Sequence, residues 1–399
     1  MTHSPADEPL INLTRALMSR RLFLRGAGAG AAAAFLVACG TKATTKTAVQ
    51  QVAPDRSDKD KTLNFSNWPL YIDVDDKTKK KPTLDKFIAQ SGIKVKYTED
   101  INDNDEFFGK VHNQLSAGQD TGRDLIVLTD WMATRLIRFH WVEKLDHANV
   151  PNLKNLQPAL QKASFDPSRD YTLPWQSGLT GISYNPKVSG GEVRTMTELL
   201  TEPRLKGKVT ALTEMRDTIG LIMLEQGKDP EKFTDDDFAN AIDMLQKAVS
   251  DKQIRKFTGN DYASDLATGN IAAAVAWSGD VIQLQADNPK IAYVVPDAGA
   301  MLWSDNMMIP NKAQHKKNAE KLMNFFYDPV NAAAVAAYVN YICPVVGAQE
   351  ELAKTDPETA KNPLIFPDAA TLAKTHGFKA LDAATEKKYN NMFQKVIGV

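Results

Sequence analysis

From residue 62 onward the chain alternates two hydrophobic patterns. The short runs Thr62 to Ser66, Lys94 to Tyr97 and Asp124 to Leu128 read as strands, and between the first two Leu84, Phe87 and Ile88 mark one apolar face at helical spacing. Asp103 or Asn104 is placed to cap a helix running to about Ala117, where Gly118 stops it. The alternation resumes after Tyr171. Strands are expected near Leu179 to Tyr184, Lys208 to Leu212, Ile271 to Trp277 and Ile291 to Val295, with helices over Met215 to Glu225 and Asp235 to Val249. In the last of these, Phe238, Ile242, Leu245 and Val249 share a face. Helical blocks over Lys316 to Tyr327 and Val330 to Tyr338 precede a turn at Cys343-Pro344. This order predicts an α/β fold of mostly parallel sheet flanked by helices.

The first forty residues break the pattern. Ser19-Arg20-Arg21-Leu22-Phe23-Leu24-Arg25 resembles a twin-arginine export signal, and the uncharged stretch Gly26 to Ala38 follows it. That stretch is shorter than the ~20 residues of a spanning helix and suits the apolar region of a signal peptide. Leu36-Val37-Ala38-Cys39-Gly40 resembles a lipoprotein cleavage box, in which the cysteine becomes the lipidated first residue. Residues 1–38 are therefore expected to be a twin-arginine lipoprotein signal peptide, with lipidation at Cys39. Residues 39–60, rich in Thr, Lys, Gln, Asp and Ser, are expected to form a flexible tether. Gly26-x-Gly28-x-x-Ala31 formally matches a dinucleotide fingerprint, but no strand precedes it.

Composition removes several classes of function. A net charge of -1 leaves no basic excess for nucleic acid. The two cysteines, Cys39 and Cys343, are too few for a disulfide framework, and Cys343 is expected to be a buried thiol. Scattered histidines, with no HExxH, GxSxG or Walker pattern, leave no metal, no cofactor and no catalytic residues to assign. An exported, lipid-tethered α/β chain without catalytic motifs reads as a solute-binding protein.

Four segments carry the candidate chemistry. Asn67-Trp68-Pro69-Leu70-Tyr71 and Thr129-Asp130-Trp131 each follow a strand, where α/β sheets place ligands. Trp277-Ser278-Gly279-Asp280 follows the run Ile271 to Ala276, and Met301-Leu302-Trp303-Ser304-Asp305 precedes a strand at Asn306 to Ile309. Tryptophan faces attract a cation by about 0.5 to 2 kcal/mol. A carboxylate 4 Å from an ammonium contributes about 4 kcal/mol at an effective dielectric near 20, before desolvation. Aromatic walls with spaced carboxylates suit an amine charged at both ends. Trp141, Trp175 and Tyr338 are assigned to packing.

With these segments in order, the chain resembles the spermidine/putrescine-binding proteins of bacterial ABC transporters. The resemblance runs through NWPLY, GIKVKY, DLIVLTDW, YTLPWQSGLTGISYNP, KGKVTALTEMRDTIG, AVAWSGD, MLWSDNMMIP and LMNFFYDPVNAAAVAAYVNYICPV. It implies a two-lobed periplasmic-binding-protein fold of type II, with lobe 1 at 61–178 plus 304–346, lobe 2 at 179–303 plus 347–399, and hinges near Gly178 and Trp303. Carried over residue by residue, Trp68 and Tyr71 would wall the cleft, and Thr129 and Trp131 would border one amine. Glu214 or Asp217 would supply the acid of the second lobe. Trp277 would pack on the ligand chain, Trp303 and Asp305 would hold an amine, and Tyr341 would close the wall. Pro69 stands where the family often has a hydroxyl, Leu70 where a spermidine-preferring member has an acid, and Met215 where a paired acid is expected, so diamine and triamine stay open. The resemblance further implies a monomer without enzymatic activity, held at the outer face of the cytoplasmic membrane or in the periplasm, with an ABC permease as partner. A sugar or opine-like ligand is the alternative, because aromatic walls also stack on such molecules.

Overall fold

Strand β1 (Thr62–Asn67) is buried along most of its length and pairs in parallel with β2 (Lys94–Glu99) and β3 (Leu125–Thr129). The computed structural model describes residues 52–398 apart from residue 76. The twin-arginine motif, the apolar stretch and Cys39 lie outside the described residues. A second parallel set consists of β5 (Val209–Leu212) between β6 (Ile254–Thr258) and β7 (Ala273–Trp277). Two strands join the sets: β4 (Leu173–Tyr184) and β9 (Ala300–Met308) pair antiparallel with each other, β9 also with β3 and β4 also with β7. Short strands β8 (Ala292–Val294) and β10 (Thr375–His376) add to β4 and β9. The runs in β3 and β7 are continuously apolar because helices cover both faces of such sheets.

Among the described residues two large hydrophobic cores result, with a small cluster of Leu179, Ala300 and Ile342 besides. Leu63, Phe65, Leu125, Trp175, Met307 and Phe326 belong to the first, and Ile182, Leu212, Ile222, Phe238, Val275 and Tyr389 to the second. The chain passes from one to the other within β4 and returns within β9. Leu352, Ala360 and Ile365 pack in the first core, so that core extends past residue 346, where the sequence reading ends lobe 1. The amphipathic helix Ala383–Ile397 then enters the second core through Tyr389, Phe393 and Val396.

Two sequence expectations change. Trp303 and Asp305 were expected just before a strand, whereas β9 begins at Ala300 and takes in both, because β4 pairs with this stretch from Met301 onward. The flexible tether was expected to run to residue 60, yet its last residues are docked. The Asn318 amide donates to Ser57 Oγ at 3.1 Å, the Lys317 amide to Asp55 Oδ2 at 3.1 Å, and His315 lies 3.1 Å from Asp60 and 3.0 Å from Asp124. Among the described residues no helix is long and apolar enough to cross a membrane.

Candidate functional site

The ends of β1 and β3, the middle of β9 and the start of helix Met215–Glu225 meet at a cavity of about 470 Å³. Trp68, Tyr71, Thr129, Trp131 and Glu214 all line it, and so do Asp217, Trp277, Trp303, Asp305 and Tyr341. Both cores contribute, so no single stretch of sequence could display the arrangement.

Asp305 is the best-defined group. Its side chain leaves β9 between two hydroxyl donors: Tyr71 donates to Oδ2 at 2.9 Å and Thr129 to Oδ1 at 2.7 Å. Thr129 is oriented in turn by Asn104, whose Nδ2 donates to its Oγ1 at 2.9 Å while Asn104 Oδ1 accepts the Thr129 amide at 3.1 Å. With its acceptor role taken by Asn104, the hydroxyl proton points at Asp305. Burial pushes the Asp305 carboxyl up to about 7, and the two hydroxyls only partly offset this.

Around this acid stands an aromatic wall. Trp68, after β1, donates its indole N–H to the Val127 carbonyl at 3.0 Å, which holds its ring beside β3. Trp175, expected to serve packing, is buried and donates to the Tyr71 carbonyl at 3.1 Å, so it positions Tyr71 from behind. Tyr71 meets Tyr341 edge to face at 5.4 Å, Tyr341 meets Trp303 at 5.5 Å, and Trp303 meets Trp277 at 6.3 Å. Helix Pro329–Val339 ends at Asn340 in the left-handed conformation, so Tyr341 stands beyond the helix that holds Tyr338. Trp141 packs elsewhere, against Phe108 and Phe139.

Three further acids of the lining stand out beside Asp130, Glu231 and Glu386. Asp217 accepts the Trp277 indole N–H at 2.8 Å, and burial raises its carboxyl to about 6. Glu214 caps helix Met215–Glu225 and accepts the Trp131 indole N–H at 3.0 Å. A helix N-terminus favours an anion, but burial prevails and lifts Glu214 to about 8. Both second-lobe candidates therefore face the cavity, while Met215 between them belongs to the second core. The sequence reading left out Asp280, which accepts Tyr341 at 2.7 Å, Tyr262 at 2.8 Å and Asn260 at 2.9 Å, and which burial also raises. Its place three residues after Trp277 was the available signal. Leu70 stands exposed at the lip with φ 56°, so the residue replacing an acid adds no charge there.

Among the described residues no lysine, arginine or histidine forms an ion pair with Asp305, Asp280 or Asp217. Such buried carboxylates are costly to ionise unless a cation arrives, and the aromatic faces beside them attract a cation.

Comparison with known proteins places the chain in context. A family model described as bacterial extracellular solute-binding protein matches residues 83–367. The spermidine/putrescine-binding periplasmic protein 1 of Haemophilus influenzae is 26% identical over 344 residues, covering 86% of this chain and 91% of the relative. The putrescine-binding periplasmic protein of Escherichia coli is 30% identical over 361 residues, covering 84% and 91%. Among solved structures, a spermidine/putrescine ABC transporter protein from Listeria monocytogenes superposes with a TM-score of 0.73 at 28% identity, covering 84% of this chain and 98% of that one.

Proposed function

The chain belongs to the bacterial extracellular solute-binding proteins, and we propose that it captures a polyamine between its two lobes and delivers it to an ABC permease. It is a substrate-binding component and not an enzyme. One observation carries the ligand assignment: Asp305, Asp280 and Asp217 line an aromatic cavity, and among the described residues no cationic side chain forms an ion pair with them. An aliphatic diamine or triamine supplies the missing charge, and its methylenes gain about 0.8 kcal/mol each when buried against the rings. Entry of an ammonium favours the ionised carboxyls, so binding is coupled to release of protons that the empty site holds near neutral pH.

In this reading Trp68, Tyr71, Trp303 and Tyr341 enclose the ligand chain, and Trp277 packs on it while orienting Asp217. Asp305, set by Tyr71 and Thr129, takes one ammonium. The export and lipidation motifs support a twin-arginine route and an anchor at Cys39, which places the lobes at the outer face of the cytoplasmic membrane. Calorimetric titration of the purified protein with putrescine, spermidine and spermine tests the ligand class. Heat with at least one amine is expected; absence of heat with all of them sinks the assignment.

A further inference from the structure

Residues 55–60, the end of the expected tether, lie against the start of helix Lys316–Phe326. The Arg56 amide donates to the Gln314 carbonyl at 2.8 Å, the Asn318 side chain donates to the Asp60 carbonyl at 2.9 Å, and Lys317 Nζ reaches Asp58 at 3.0 Å. Beneath this segment sits His315, 7% exposed, with a carboxylate on each side of its ring. Its Nδ1 is 3.0 Å from Asp124 Oδ2, and its Nε2 is 3.1 Å from Asp60 Oδ2 and 3.4 Å from Thr62 Oγ1. None of these groups lines the candidate cavity.

The two carboxylates are held differently. Asp124 is buried, and besides the ring it accepts the Asn64 amide at 2.8 Å and the Gln314 and His315 amides at 3.0 Å each. It is fixed in the folded body, whereas the half-exposed Asp60 belongs to the segment. An imidazolium donates from both nitrogens and joins the two; a neutral imidazole donates from one only. With that proton on Nδ1 toward Asp124, Nε2 turns a lone pair toward the Asp60 carboxylate. The Thr62 hydroxyl, which also bonds Asp60, is within reach of that lone pair.

We propose that His315 is a pH-operated clasp for this segment: protonated, it holds residues 55–60 on the first core, and on losing the Nε2 proton it releases them. Burial acts to lower the imidazole, but hydrogen bonds and charge from Asp124 and Asp60 prevail and raise it above its ordinary 6.5. Undocking removes Asp60 and leaves Asp124, so the docked segment favours the protonated ring. The clasp contributes fully below the ordinary 6.5 and is lost as pH rises through the raised value. Around the ring the charged groups are Asp60 and Arg56 of the segment and Asp124 ahead of β3. Glu143, pushed by burial up to about 7, accepts from Ala53 and acts with the opposite sign, becoming a better acceptor as pH rises. Release of six residues adds up to about 20 Å of reach between the lobes and the proposed anchor at Cys39. The docking itself does not depend on that anchor.

Hydrogen–deuterium exchange of the purified protein between about pH 6 and about pH 9, corrected for intrinsic exchange, tests the clasp. Protection of residues 55–61 is expected to fall by about fivefold across this range, while β3 in the first core keeps its protection. His315→Gln, which does not titrate, is expected to abolish the fall. So is Asp60→Asn, because docking then no longer changes the proton affinity of the ring. Protection that stays constant in the wild type overturns the proposal, as does an equal fall in His315→Gln, which assigns the effect to Glu143. A fall shared by β3 overturns it too, because the whole fold is then opening. If His315→Gln does not fold, the wild type and Asp60→Asn decide, since the Asp60 side chain is half exposed.

Discussion

Gly178 of β4 lies opposite Trp303 of β9, and the space that a side chain at 178 would fill is taken by the indole. A β-carbon there would overlap the six-membered ring of Trp303 and stand 2.9 Å from Cδ1 of Tyr341. The strands that join the two cores therefore cross where the aromatic wall is built, and glycine is what lets both occupy one place. Gly178→Ala forces Trp303 and Tyr341 to shift. Loss of about 1 to 3 kcal/mol of stability is expected from overpacking. Polyamine affinity should fall by about tenfold or more. Thermal unfolding and calorimetry check the two effects, and a variant with wild-type values for both removes this account of the crossing.

Asp305→Asn keeps the size of the side chain and removes the charge that faces the ligand. Truncating one partner of a buried charge pair costs about 2 to 5 kcal/mol, so amine affinity should fall by about thirtyfold or more. A sugar-like ligand, held by stacking and neutral hydrogen bonds, would lose far less. Titrating both ligand classes against wild type and variant distinguishes them.

The acids predict a pH dependence of binding. Asp305 near 7 and Asp217 near 6 are increasingly protonated as pH falls through those values in the empty site, and an ammonium must displace those protons. Affinity should weaken as pH drops from about 8 to about 5. Calorimetry in buffers of different ionisation enthalpy should register proton release on binding at pH 7. A proton count of zero would contradict the linkage.

Stability of the empty protein should run the other way. A carboxyl whose folded pKa is raised stabilises the fold fully below its unfolded value and loses that contribution as pH rises through its folded value. For Asp305 this window runs from the ordinary 3.8 to about 7, and for Asp217 from 3.8 to about 6. The melting temperature of ligand-free protein should decline between about pH 4 and pH 7, and saturating putrescine should remove much of that decline. A melting temperature that rises across this window without ligand would count against it.

Cys39→Ser leaves the export motif intact and removes the proposed lipid attachment. The protein should then move from the membrane fraction to the soluble extracytoplasmic fraction. Replacing both Arg20 and Arg21 by Lys should instead retain it inside the cell. Fractionation and immunoblotting read both outcomes, and a Cys39→Ser variant still found wholly with the membrane excludes Cys39 as the anchor.

The sequence by itself determined the α/β class and most of its elements, because hydrophobic period is a local property: Thr62 to Ser66, Lys94 to Tyr97 and Met215 to Glu225 could be read from a few neighbouring residues. It also supplied the tryptophans of the candidate site and its acids other than Asp280, because they lie in short recognisable segments. The tertiary structure alone decided which groups meet. Glu214 and Asp217 both face the cavity because one helix N-terminus projects them past Met215. Asp280 joins them because Tyr341 converges on it from one segment and Asn260 and Tyr262 from another, and Trp303 and Asp305 are held in a strand by pairing with β4. Arg216 reaches both Trp131 and Glu386 only across packed elements. Charge matching and desolvation depend on distances in space, and residues 131, 216 and 386 carry no mark of their proximity along the chain.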